Sequence, residues 1–264
     1  LGVSLWWVDK DRAALFWRRL HDRLPATFDE LISLGTVWQL FDTIPADVRN
    51  EVFTRWLRGA EPLPQMAGEI LGAIVAQGRI DADTDMFVLQ ILTDGGGAKT
   101  GFLFSLAEAW RTGDQDMREL THPMLLANMQ TVAADDATAI AITLGRYGAI
   151  PADMMTREML TAVAASPPVL NAARGHFLLE MLQRLLIHPG FDEPVLTFVE
   201  QLLEALLSGA ARHRSTLDSE MVEIAVALQR NDGPLRVRAM DLYERLLDAA
   251  VYGAEEAAQA AMRR

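Results

Sequence analysis

Three short stretches combine residue types that could do chemistry. Asp94-Gly95-Gly96-Gly97-Ala98-Lys99-Thr100-Gly101 sets glycines ahead of a Lys-Thr pair. Those are the ingredients of a loop whose backbone N–H groups cradle phosphate. Such a loop needs a glycine, four residues, then Gly-Lys-Ser/Thr. Here Thr93 stands at the first glycine and Ala98 precedes Lys99, so the stretch reads as an inter-helix turn. Asp81-Ala82-Asp83-Thr84-Asp85 has the opening spacing of a calcium loop, but Met86 replaces its glycine and Leu92 its closing glutamate. It reads instead as a helix start with acids set against the dipole. His176, Glu180 and Arg184 fall one turn apart on one helix face. The first two could ligate a metal, but nothing local supplies a third ligand. Glu180 ahead of Arg184 is the favoured orientation for a solvated ion pair. His21, His122, His188 and His213 show no ligand spacing. No cofactor or metal is expected.

A second kind of candidate is a contact surface. Trp17-Arg18-Arg19 and Arg55-Trp56 pair indoles with guanidinium groups. The residues selected for partner binding are Trp17, Arg19, Arg55 and Trp56, because Trp and Arg are enriched where binding energy concentrates. All six tryptophans lie within the first 110 residues. The competing account is core packing, with arginine stems laid beside the rings.

The elements that must position these residues are helices. Leu and Ala number 75 together against 27 Ile and Val, a balance that favours helix over strand. The pattern predicts a helix over 10–24 ended by Pro25. A capping box at Thr27-Phe28-Asp29-Glu30 then opens a helix to about Phe41. Further helices are expected over about 45–57, 62–77, 83–93, 100–111, 117–132, 135–146, 151–165, 167–187, 192–207, 215–229 and 234–250, with a short Ala-rich helix in the tail. In the helix from Asp192, Val195, Leu196, Val199, Leu202, Leu203, Leu206 and Leu207 form an apolar stripe. Glu200, Gln201 and Glu204 lie opposite, so Leu202 and Leu206 are expected in the core and the glutamates in solvent.

Helix starts 16 to 24 residues apart suggest antiparallel hairpins of about 35–47 residues. Pro45-Ala46-Asp47-Val48-Arg49 leads into Val52-Phe53 and Trp56-Leu57. Gly233-Pro234-Leu235-Arg236-Val237-Arg238 leads into Ala239-Met240, Leu242 and Leu246. Each places proline at a helix start, then Val-Arg, then an apolar stripe. This resembles the second helix of HEAT repeats. The resemblance implies an all-α fold of antiparallel helical hairpins stacked as a HEAT-like α-solenoid, and no fixed activity. Trp110 with Asp114 resembles the DNA glycosylases built on HEAT-like folds, which hold a damaged nucleotide with aromatics and an aspartate. Gly113 lies between them and places Asp114 past the helix end.

Charge and cysteine content narrow the function. A net charge of −12 opposes general nucleic-acid binding, which needs a basic footprint. The absence of cysteine removes disulfides, thiolate nucleophiles and Cys-type metal sites. Arg outnumbers Lys 22 to 2, read as coding bias in a GC-rich bacterial genome. No apolar run approaches the roughly 20 residues that span a bilayer, so no membrane association and a cytoplasmic location are expected. The start at Leu1 suggests one region of a longer protein. We expect residues 1–264 to form a single helical-repeat region with a soft division near 113–116. Its expected role is a non-catalytic scaffold or sensor for a protein partner, either a basic segment or other domains of the same protein. The alternatives are a glycosylase-type enzyme and a compact regulatory bundle without repeats.

Overall fold

A computed structural model describes residues 9–33, 43–129, 136–137, 140, 155–172, 176–208, 219–249 and 259. Helix takes up 83% of the described residues and strand none, so the fold is all-α. The chain divides into two compact units, Leu1–Thr121 and His122–Arg264. The boundary falls inside one helix, a few residues after the turn at 113–114.

In the first unit, α1 is Lys10–Arg23, α2 Pro25–Ser33, α3 Ala46–Leu57, α4 Leu63–Ala76, α5 Ala82–Asp94 and α6 Gly96–Thr112. Helix α7, Gln115–Met129, carries the chain across the boundary. The starts follow from local chemistry. Asp9 accepts from the Arg12 amide and caps α1. Asp81 accepts from both the amide and the hydroxyl of Thr84 and caps α5, as the acid-rich start predicted. The expected capping box at 27–30 is a correction. Helix α2 begins two residues earlier, at Pro25, whose fixed φ and missing N–H suit a first helical turn. Thr27 and Asp29 therefore lie within the helix, and Asp29 is free to bond elsewhere. The end expected near Phe41 lies outside the described residues.

The expected turn at Gly95–Gly97 is shorter than its sequence suggests. Gly95 joins α5 to α6 with φ +73°, a conformation costly for any residue with a β-carbon. Gly96 and Gly97 already belong to α6.

Helix α4 packs most intimately on α6, its second neighbour. A β-carbon at Gly68 would collide with the Ala98 carbonyl, and one at Gly101 with the Gln65 carbonyl. At Gly72 it would sit 2.7 Å from the Phe102 carbonyl oxygen. The register rises together, 61 beside 97, 68 beside 98 and 102, and 72 beside 102 and 105, so α4 and α6 run parallel with α5 between them in sequence. Glycine permits this approach because no side chain separates the two backbones.

The first unit's core is aromatic. Trp17 meets Phe28 edge-on at 6.0 Å between ring centroids, and Phe53 packs on Trp56 and Phe87. These contacts tie α1 to α2 and α3 to α5.

In the second unit, α8 is Arg157–Ala164, α9 Pro167–Ala172, α10 His176–Leu185, α11 Asp192–Ser208, α12 Ser219–Leu228 and α13 Pro234–Asp248. The helix expected over 167–187 is thus described as α9 and α10, with 173–175 outside the described residues. Most of the helix expected over 135–146, the start of those expected from 151 and from 215, and nearly all of the tail also lie outside them. The stripe of α11 is buried as expected at Val195, Leu196, Val199, Leu202, Leu203 and Leu206, but Leu207, expected in it, is exposed in the last turn. Its opposite face is not simply solvated, which corrects the expectation. Arg238 of α13 bonds Glu200 at 2.6 Å and Thr197 at 3.0 Å, and Arg245 bonds Glu204. Glu200 beside Arg238 raises the guanidinium's already high pKa. Here too the register rises together, so α11 and α13 run parallel with α12 between them in sequence.

The two segments that resemble HEAT helices pack differently. Val48 is buried in α3, whereas Val237 is exposed on α13. Arg49 reaches forward to Asp81 at the start of α5, whereas Arg238 reaches back to α11.

Candidate functional site

Of the residues selected from sequence for partner binding, Trp17, Arg55 and Trp56 lie on adjoining helices, and both indoles face inward. Trp17 is 3% exposed and Trp56 fully buried. Each indole N–H is satisfied internally: Trp17 donates to the Thr43 hydroxyl at 2.9 Å, and Trp56 to the Asp29 carboxylate at 3.0 Å. A buried indole needs such a partner. Arg55 donates to the same Asp29 oxygen at 2.5 Å. His21, also buried, stacks edge-on against Phe28 and approaches Asp22, Glu51 and Arg55. These bonds tie α1, α2 and α3 together. Arg19 points to solvent. Asp29, hidden in the sequence inside an apparent capping box, is the acceptor that joins Arg55 to Trp56.

The other sequence candidates take structural places. Trp110 is buried in α6, while the Asp114 carboxylate accepts from the Met117 amide and opens α7. Trp6, Trp7 and Trp38 lie outside the described residues, as does the side chain of His176. Glu180 and Arg184 form the ion pair their spacing predicted. Asp83 accepts from Asn50 at 2.7 Å. At Asp81 the Thr84 hydroxyl and amide, with Arg49 nearby, hold the carboxyl below the ordinary aspartate range. Among the described residues, no cluster of three His, Asp or Glu side chains could hold a metal ion. No helix there is long and apolar enough to cross a membrane.

What sequence reasoning passed over is α5. Thr84, Phe87 and Ile91 form its buried face. Ala82, Met86, Leu89 and Thr93 follow a second helical row that is exposed. Leu89 is 69% and Met86 54% exposed. The helix is apolar on two sides, a pattern normally found where both are covered. The signal was present in Met86-Phe87-Val88-Leu89, four consecutive apolar residues that no single buried stripe can absorb.

This row leads into a cleft. Gln90 and Asp94 follow Met86 at one-turn intervals and line a cavity of about 290 Å³ with Glu61, Leu57 and the start of α6. The Glu61 carboxylate lies over Gly97 and leaves no room for a β-carbon there. A carboxylate at that point complements the positive end of α6. None of the described residues lining the cleft is basic. The arrangement offers hydrogen-bond acceptors and negative charge beside an apolar strip. Comparison with protein-family models, curated proteins and solved structures finds no match for this chain.

Proposed function

We propose that this chain is a non-catalytic helical scaffold or sensor region that binds another protein, with its hairpins stacked in a HEAT-like manner. The observation that carries the reading is the outward row of α5. Exposing Met86 and Leu89 together on a helix whose other face is already core is unfavourable in water, and such patches mark interaction sites. The parallel second-neighbour pairs α4/α6 and α11/α13 support stacked hairpins, since alternate helices of such a stack run the same way. The inward-facing indoles move the proposed contact surface from the Trp-Arg cluster to α5.

A benzophenone amino acid replacing Leu89, in the protein expressed in its native cells, tests this reading. Irradiation is expected to give a discrete protein adduct that Met86→Asp removes. The same group at exposed Glu119, in the same unit, should give none. No adduct at 89, or equal adducts at both positions, would overturn the proposal.

A further inference from the structure

We infer that the partner segment held on α5 is basic, seating an apolar anchor on Met86 and Leu89 and a Lys or Arg side chain in the adjoining Glu61–Asp94 cleft. The inference rests on the interaction reading above and adds the chemistry of the ligand.

Three observations converge on it. First, the apolar row and the cleft are continuous: Met86, Gln90 and Asp94 are successive turns of one helix face, and the last two line the cleft. Second, acids predominate at the cleft. Residues 79–99 contain Asp81, Asp83, Asp85 and Asp94 against Arg79 and Lys99 at the two ends, and none of the described residues lining the cleft is basic. Asp81 and Asp83 are occupied by Thr84, Arg49 and Asn50. Asp85 and Asp94 are exposed, with no basic side chain paired to either among the described residues. The carboxyl-terminal end of α5, at the cleft, adds the negative pole of its dipole. Third, the acceptors suit a fork of donors. Two carboxylates and the Gln90 amide oxygen can accept from a guanidinium or ammonium group, while the aliphatic stem lies along Leu57 and Ile91. Glu61 offsets the positive end of α6, leaving Asp94 to set the sign of the cleft.

The spacing is also fixed. Leu89 and Asp94 are separated by about 7.5 Å along the helix axis. A partner lying along α5 therefore carries its basic residue about five positions from the anchor if helical, or two to three if extended.

Selection from a display library of random 16-residue peptides tests the inference on the intact chain. Binders are first filtered for loss on Leu89→Asp. The survivors are expected to be enriched in Lys or Arg within five residues of an apolar anchor. Their affinity should fall about tenfold on Asp94→Asn and again on Glu61→Gln, as for a close interfacial charge pair. Binders that depend on Leu89 but show no basic preference, or that ignore both cleft variants, would overturn the basic-ligand inference and leave the α5 docking surface standing. A selection yielding no Leu89-dependent binder would overturn both. Circular dichroism melts of each variant separate lost binding from lost folding, and Asp94→Asn changes no contact within the core.

Discussion

Gly68 of α4 lies directly against the carbonyl of Ala98 in α6, backbone to backbone. The two helices approach closely only because glycines stand at the contact on both, Gly68 and Gly72 against the main chain of Ala98 and Phe102, and Gly101 against that of Gln65 and Glu69. The space holds no methyl group and the obstructing atoms are main chain, so a side chain cannot be accommodated by a rotamer change.

Gly68→Ala is accordingly expected to destabilise the first unit by about 3 kcal/mol, at the upper end of ordinary overpacking. Gly95→Ala meets no neighbouring atom and carries only the strain of its positive φ, about 1–3 kcal/mol. Urea denaturation of both variants compares them. A loss at Gly68 below about 1 kcal/mol, the lower end of overpacking, would mean that the α4–α6 approach is not close enough to require glycine.

Trp56→Phe keeps most of the buried ring but removes the donor to Asp29. The loss should be about 1–2 kcal/mol, that of a part-buried hydrogen bond to a charged acceptor. Arg19→Ala, on the exposed side of α1, should stay within about 0.5 kcal/mol. Thermal melts that reversed this order would return the Trp-Arg cluster to the surface.

Asp81 links stability to pH. Its carboxyl is held below the ordinary aspartate range by the Thr84 hydroxyl first and the Thr84 amide second. A depressed folded-state pKa gives stability that is present above the unfolded-state value and lost as pH falls through the folded one. Asp81→Ala should therefore cost about 1 kcal/mol near neutral pH, as for a lost N-cap. The difference from wild type should shrink below about pH 4, where aspartate protonates. Denaturant midpoints at pH 7 and pH 2.5 measure both limbs.

The face of α11 opposite its apolar stripe gives a graded prediction. Leu202→Ala and Leu206→Ala should each cost about 2–5 kcal/mol. Glu200→Ala should cost more than Glu204→Ala, because Glu200 is the better shielded and meets Arg238 through two guanidinium nitrogens. The Arg238–Glu200 coupling should be about 1 kcal/mol, since Arg238 remains partly in solvent, and the Arg245–Glu204 coupling smaller. Two double-mutant cycles read these terms, and indistinguishable couplings would show that shielding at Glu200 has no energetic weight.

Much of the fold was legible wherever one residue dictates one local outcome. Pro45, Asp83, Asp192 and Pro234 mark helix starts within a residue of the observed ones, because a cap or a fixed φ acts over a single turn. The capping box failed at Thr27 because Pro25 starts the helix earlier, and two valid start signals within three residues leave the sequence undecided. Glu200 was assigned to solvent because periodicity identifies a polar face and is silent on whether another helix lies across it. Gly68 and Gly72 carry the one-turn spacing of a close helix contact, yet pairing them with Gly101 across α4 and α6 requires tertiary information. Met86 and Leu89 were hidden in an apolar run that suits a core equally well.

The second-neighbour arrangement also bears on how the chain reaches this state. The side-chain hydrogen bonds between helices described above join residues 26 to 41 positions apart. Closing loops of that size costs little extra entropy per added residue, and chains dominated by such near contacts fold fast. Three consecutive helices suffice to make the α4–α6 contact and no residue of the second unit takes part, so that step can proceed once α6 has left the ribosome. The glycine contact thus provides a local starting point for assembly during translation, on a timescale set by helix docking.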